Sequence, residues 1–140
     1  TQNTAFMEEW RKGWHPERPR AKGTSESVLI VGAGPTGLEA ALQAARRGYK
    51  VTLAEATTTL GGRVARERAL PGLSAWGRVA DYRAGQIRPM PNVEVYRESR
   101  LSAEDVLALG VEHVCVATGA RWRADAVARF HLSPIPTDPG

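Results

Sequence analysis

A glycine-rich turn and one carboxylate are the residues in this chain whose types and spacing point to chemistry. Gly32-Ala33-Gly34-Pro35-Thr36-Gly37 sets three glycines in a G-x-G-x-x-G pattern, and Glu55 follows twenty-three residues after Gly32. That pattern serves recognition of a dinucleotide rather than bond-making. Gly32 permits a tight turn out of a strand, Gly34 lets the backbone approach a pyrophosphate with no Cβ between them, and Gly37 allows close packing of helix on sheet. Pro35 suits a first helical position, where its missing N–H is no loss, and Thr36 follows it in the same turn. A helix starting there offers free N–H groups and a partial positive charge to phosphates. Glu55, with Ala56 behind it, is placed to accept hydrogen bonds from an adenosine ribose, and a carboxylate there disfavours the 2′-phosphate of NADP.

Catalytic residues are not expected. His15, His113 and His131 are far apart in sequence and stand near no nucleophile pattern. One cysteine excludes an internal disulfide framework, a cysteine-rich zinc site and a self-contained iron–sulfur cluster, and no metal site is expected.

The elements that must position the turn are legible around it. Val28-Leu29-Ile30-Val31 is wholly apolar, as expected of a central strand covered on both faces. Leu38, Ala41, Leu42 and Ala45 recur at helical spacing and predict a helix ending near Gly48. Lys50 to Ala54 is a second strand, with Glu55 at its carboxyl end. Strand, glycine turn, helix, strand and acid in that order make a weak motif a strong one. Beyond it, Trp76, Val79, Ala80 and Ile87 outline a helix around 74–88, and Asn92 to Tyr96 alternates as a strand. Ser102-Ala103-Glu104-Asp105 reads as a capping box opening a short helix that ends before Gly110. Val111 to Ala117 is expected to be a buried strand, with Cys115 an inert core thiol inside it. It breaks at Thr118-Gly119, which the topology brings beside the first glycine turn. The Gly61-Gly62 doublet lets another backbone segment press against the nucleotide, and Arg63 after it is a candidate for its phosphates. The fold class is α/β, a Rossmann-like parallel sheet of the FAD/NAD(P)-binding flavoprotein type, incomplete as it stands.

Composition narrows the partners. The chain has 140 residues, the size of one domain, and 19 basic against 15 acidic residues give a net charge of +4. Arginines outnumber lysines 16 to 3 and are spread among acids, which describes a solvated surface rather than a nucleic-acid face. No apolar run has the length of a membrane span and no signal-peptide pattern opens the chain, so a cytoplasmic protein without a membrane partner is expected. Residues 1–26 read as a linker from a missing region. Phe6, Trp10 and Trp14 there, at i, i+4 and i+8, suit a short helix packed on a neighbouring domain. Residues 27–123 form the nucleotide-binding domain, and the proline-rich 124–140 lead towards a missing second domain.

The run Val28 to Gly37, the Gly61-Gly62 doublet and Ala117-Thr118-Gly119 together resemble the flavoprotein reductases with two dinucleotide folds. The flanks narrow the resemblance. Thr1-Gln2-Asn3, Arg11-Lys12-Gly13-Trp14-His15-Pro16-Glu17, Ala69-Leu70-Pro71-Gly72-Leu73 and Thr118-Gly119-Ala120-Arg121-Trp122 are similar to the trimethylamine, dimethylamine and histamine dehydrogenases. The resemblance implies a larger enzyme with FMN on a TIM barrel, an iron–sulfur cluster and two dinucleotide-type domains, of which this chain is the first. It implies ADP in this site. It also implies amine oxidation at the distant flavin, with electrons leaving through the cluster to an electron-transfer flavoprotein. Matched by motif, Gly32, Gly34 and Gly37 meet the pyrophosphate, Glu55 the ribose, and Gly62 and Arg63 the phosphates. Arg68 takes the place of a basic nucleotide contact, and the backbone of Leu101 meets the adenine. The bacterial 2,4-dienoyl-CoA reductases are similar through the centre and imply instead FAD here, with NADPH on another domain. The Gly-Asp segment that closes a whole FAD site is absent from this sequence. A third reading is a ligand-free docking module, which Glu55→Arg is expected to separate from the nucleotide-binding readings.

Overall fold

Ser27–Val31, apolar from Val28 onward, builds β1, and Lys50–Ala54 builds β2 beside it. Val93–Tyr96 forms β3 and His113–Val116 forms β4. The computed structural model describes residues 26–120, with positions 21, 125, 127, 129–130 and 132–134. The aromatic stripe at Phe6, Trp10 and Trp14, together with His15 and His131, lies outside the described residues. All strand pairs are parallel, in the order β3-β2-β1-β4. The chain steps outward from β1 to β3 and then crosses back to lay β4 on the other side of β1. The topological switch therefore falls between β1 and β4, and ligands of open α/β sheets bind at the carboxyl end of that crevice.

Between the strands lie α1 (Pro35–Arg46), α2 (Arg63–Glu67), a 3₁₀ turn (Ser74–Trp76), α3 (Gly77–Ile87) and α4 (Ala103–Ala108). The core forms where α1 and α3 cover one face of the sheet. Leu38, Ala41, Leu42 and Ala45 of α1 meet Ile30, Val51 and Leu53, with Ala80 and Ile87 of α3 completing the cluster. Burial of each large side chain stabilises by about 1.5–3 kcal/mol, which fixes α1 against β1 and so fixes where its amino terminus points. Asn92 locks the far end of that helix: its side-chain amide donates to the carbonyls of Ala45 (2.9 Å) and Tyr49 (2.8 Å).

The structure departs from the sequence expectations in two places. The segment 74–88 is a 3₁₀ turn followed by an α-helix, and Trp76 is exposed; the buried face of α3 is Gly77, Ala80, Arg83 and Ile87. Arg83 is buried because it is paired. Its Nε donates to Glu39 Oε2 (2.5 Å) and its Nη1 to the Val79 carbonyl (2.9 Å). The second departure is β4, which is shorter than Val111 to Ala117 and is not a buried strand, since Val114 and Val116 are 41% and 71% exposed. It is the edge of the described sheet, so only its core face is covered; Cys115 lies on that face, half-buried and packed against the cluster.

The expected capping box is present at α4. Asp105 N–H donates to Ser102 Oγ (3.2 Å), and Ser102 N–H donates to Asp105 Oδ2 (2.8 Å). The backbone N–H of Ser102, and then its hydroxyl, holds the Asp105 carboxyl below its ordinary value of 3.8. A carboxyl depressed in the folded state stabilises above its unfolded value and loses that contribution as pH falls through the folded one. Amides of α4 are therefore expected to lose hydrogen-exchange protection below pH 3.8, and Ser102→Ala, which removes the hydroxyl but keeps the Ser102 N–H bond to Asp105, to bring a partial loss at neutral pH.

Candidate nucleotide-binding site

β1 ends at Val31, and Gly32 turns the chain back towards α1 with φ +101°, a conformation other residues adopt at a cost. A Cβ at Gly32 would also stand 2.5 Å from the Ala117 carbonyl oxygen, so the turn after β1 and the turn after β4 touch. Thr118, whose Cα lies 3.2 Å from that same position, is thereby placed beside the glycine turn, and Gly119 follows it in the chain. At Gly37 a Cβ would fall on the Gly32 carbonyl oxygen, so this glycine lets the first turn of α1 lie directly on the loop. Gly34 differs from both. A Cβ there would meet nothing within 4 Å, and its φ of −69° is open to any residue.

The amino terminus of α1 has the character of an anion seat. It carries no side-chain cap and no acidic residue in its first turn, and Pro35 sits at its start. Its first N–H groups have no intrahelical partner, and the positive end of its dipole lies beside Gly34. Thr36 is exposed next to it.

The Gly61-Gly62 doublet presses against the loop itself. Gly61 N–H donates to the Ala33 carbonyl (2.8 Å), and a Cβ on Gly62 would come within 3.1 Å of Gly34 Cα. Arg63 follows at the start of α2, where its Nε pairs with Glu67 Oε1 (2.6 Å). Arg68 Nη1 lies 2.8 Å from Asp81 Oδ1, and that carboxylate raises the guanidinium pKa above its ordinary value. Its guanidinium also fills the space a side chain at Gly77 would need. Leu101 is half-buried on the segment between β3 and α4.

Glu55 holds the turn. It is 6% exposed, and Oε2 accepts from the buried Ala33 N–H (2.8 Å). Oε1 accepts from the Thr57 N–H and from its hydroxyl, both at 2.9 Å. An ionised carboxylate has about four acceptor positions, so three bonds leave room for one more. Sequence spacing places Glu55 near the site, but the bond to Ala33 across twenty-two residues has no sequence signal. Ala56, next along, is exposed.

A cavity of about 850 Å³ opens beside the turn. Pro35 and Thr36 form its near wall, Val64, Trp76 and Val79 its apolar sides, and the Arg83–Glu39 pair its polar side. Glu39 and Arg83 are site neighbours that sequence reasoning missed. They lie forty-four residues apart and only the packing of α1 on α3 joins them.

Residues 30–98 match the family described as NAD(P)-binding Rossmann-like domain. Dimethylamine dehydrogenase of Hyphomicrobium sp. (strain x) is 39% identical over 97% of this chain and 19% of its own length. The structure of histamine dehydrogenase from Rhizobium sp. 4-9 is 70% identical with a TM-score of 0.89, covering 99% of this chain and 20% of that one. A 6-hydroxypseudooxynicotine amine oxidase from Pseudomonas geniculata N1 is 53% identical with a TM-score of 0.88, over 96% of this chain and 20% of that one. The chain thus spans about a fifth of the length of these relatives. No described helix is long and apolar enough to cross a membrane. A Rossmann-like sheet with its glycine turn at the switch point, together with these identities, settles the relationship: the chain belongs to the dimethylamine and histamine dehydrogenase family and carries a nucleotide-binding domain of the NAD(P)-binding Rossmann-like type.

Proposed function

We propose that this domain binds ADP as a fixed structural nucleotide within an iron–sulfur flavoprotein amine dehydrogenase. The observation that carries the reading is Gly34. The fold itself does not need a glycine there, because neither φ nor a neighbouring atom forbids a side chain. A pyrophosphate seated on the uncapped end of α1 does need one. Gly32, Gly34, Pro35, Thr36 and Gly37 would hold the phosphates, with Gly62 and Arg63 alongside. The fourth acceptor position of Glu55, beside Ala56, suits the ribose. Arg68 keeps further N–H donors after its bond to Asp81 for a nucleotide contact. Leu101 would meet the adenine through its backbone, and Thr118 and Gly119 would close the crevice. ADP has no redox-active ring, so this domain contributes binding and scaffold. Oxidation of a small amine would take place at FMN on another domain, and the electrons would leave through the cluster to an electron-transfer flavoprotein.

FAD is the second reading, favoured by the cavity that begins at Pro35 and Thr36 and has room for more than a diphosphate. It would make the domain similar in role to an NADPH-dependent 2,4-dienoyl-CoA reductase. Denaturing the purified protein separates the two: released colourless ADP supports the first reading, and released FAD with its visible absorption supports the second.

Gly34→Ala tests the site itself. Stability is expected to change by less than about 1 kcal/mol, since Ala is only a poorer residue than Gly before a helix. Affinity for ADP is expected to fall tenfold or more, which calorimetry reads directly. Unchanged affinity in a folded variant would remove the pyrophosphate from this turn.

A further inference from the structure

We propose that Glu26, Glu112 and His113 form a binding site for one divalent transition-metal ion of the Zn²⁺ class, at the opposite end of the sheet from the nucleotide. One ligand atom from each side chain, two carboxylate oxygens and an imidazole nitrogen, lies within 4.8 Å of the other two. His113 Nε2 is already 2.6 Å from Glu26 Oε2. The parallel register produces this convergence: His113 opens β4 level with Val28 of β1, and Glu26 lies just before that strand. Glu112 comes with His113 as its chain neighbour. In sequence Glu26 and His113 are eighty-seven residues apart, so no ligand spacing betrays the set.

Nitrogen and carboxylate oxygen together suit Zn²⁺ and its Irving–Williams neighbours, whereas Ca²⁺ and Mg²⁺ favour oxygen alone. Ligand atoms about 2.1 Å from a tetrahedral Zn²⁺ stand roughly 3.4 Å from each other. The 2.6 Å contact would open by about 0.8 Å and the other separations, none above 4.8 Å, would close by at most about 1.4 Å, which rotation of the exposed Glu112 and His113 side chains supplies. Glu112 and His113 are exposed and Glu26 is half-buried, so an ion reaches the site from solvent and keeps water in its remaining position. The ion takes the place of the proton between Nε2 and the Glu26 carboxylate: a neutral imidazole shifts that proton to Nδ1, and an imidazolium, already protonated at Nδ1, releases it to solvent. Two carboxylates and a neutral imidazole carry a charge of −2, which one divalent ion balances. Bound there, the ion would tie β4 to β1 at their starts. The strands place it roughly 15 Å from the glycine turn, so nucleotide binding should be indifferent to it.

The test is titration of the nucleotide-loaded protein with CoCl₂, read by visible absorption, and with ZnCl₂, read by competition. The wild type is expected to take up one ion more tightly, by tenfold or more, than His113→Ala does, with low-symmetry Co²⁺ bands that Zn²⁺ abolishes. Glu112→Gln should weaken uptake in the same direction. All variants should keep their circular dichroism and their ADP affinity, because the side chains changed are on the surface. Equal Co²⁺ uptake by wild type and His113→Ala overturns the proposal, as does the absence of saturable uptake by the wild type below about 1 mM.

Discussion

Glu55→Ala is expected to lower the folding free energy by about 3 kcal/mol and to weaken ADP binding more than tenfold. The side chain is 6% exposed and accepts three hydrogen bonds, of which the one from Ala33 N–H decides the outcome. Ala33 is fully buried, so its N–H would have no acceptor and no water to turn to. A hydrogen bond to a charged acceptor contributes about 1.5–3 kcal/mol, and an orphaned buried donor costs a similar amount. The two bonds from the exposed Thr57 are replaced by solvent and add little. Ala33 lies between Gly32 and Gly34, so an unanchored N–H there loosens the glycine turn itself. Urea unfolding measures the first effect and calorimetry with ADP the second. Glu55→Gln sorts their causes. Its carbonyl oxygen still serves Ala33, but its amide then faces the Thr57 N–H, so stability should fall by only about 1 kcal/mol. An affinity loss in Glu55→Gln as large as in Glu55→Ala assigns Glu55 to the ribose; retained affinity assigns it to the turn alone. Glu55→Arg cannot make that distinction, because it removes the Ala33 acceptor along with any ribose contact.

The difference between what sequence discloses here and what it hides follows the range of the interactions. The glycine turn, α1 and the Ser102–Asp105 box depend on residues within a few positions of each other, and each is where its pattern puts it. Gly32 and Gly37 were legible for the right physical reason, a turn and a close approach. The bond from Ala33 to Glu55, the Asn92 clamp on α1 and the Arg83–Glu39 pair span twenty-two to forty-seven residues and have no local signal. An apolar segment also does not tell how much of itself is covered. Val114 and Val116 are as apolar as Val51 and Leu53, yet β4 stands at the sheet edge and β2 within it. Trp76 is apolar too, yet it is exposed, and the buried face of its segment begins one residue later, at Gly77.

The same substitution at two helical glycines is expected to move stability in opposite directions. In the middle of a helix, glycine to alanine gains about 0.5–1 kcal/mol, since alanine has less backbone freedom to lose on folding. Gly85 is exposed in α3 and a Cβ there would meet nothing within 4 Å, so Gly85→Ala should show that gain undiminished. At Gly37 the new methyl would land on the carbonyl oxygen of Gly32, a backbone atom with no rotamer to move into. Relief requires α1 to slide away from the turn, and Leu38, Ala41 and Leu42 resist because they are locked in the core without exposed surface. Overpacking of this kind costs about 1–3 kcal/mol before any distortion of the turn is counted, so Gly37→Ala should lose about 2 kcal/mol or more net of its helix gain. The pair should therefore differ by about 3 kcal/mol in urea unfolding. ADP affinity adds a second axis. Any slide of α1 carries its N–H groups off the phosphate seat, so Gly37→Ala should bind ADP at least tenfold more weakly while Gly85→Ala binds as the wild type does. A Gly37→Ala protein as stable as Gly85→Ala would mean that the helix does not rest on the Gly32 carbonyl. The packing that aims α1 at the proposed phosphate seat would then have to be drawn differently.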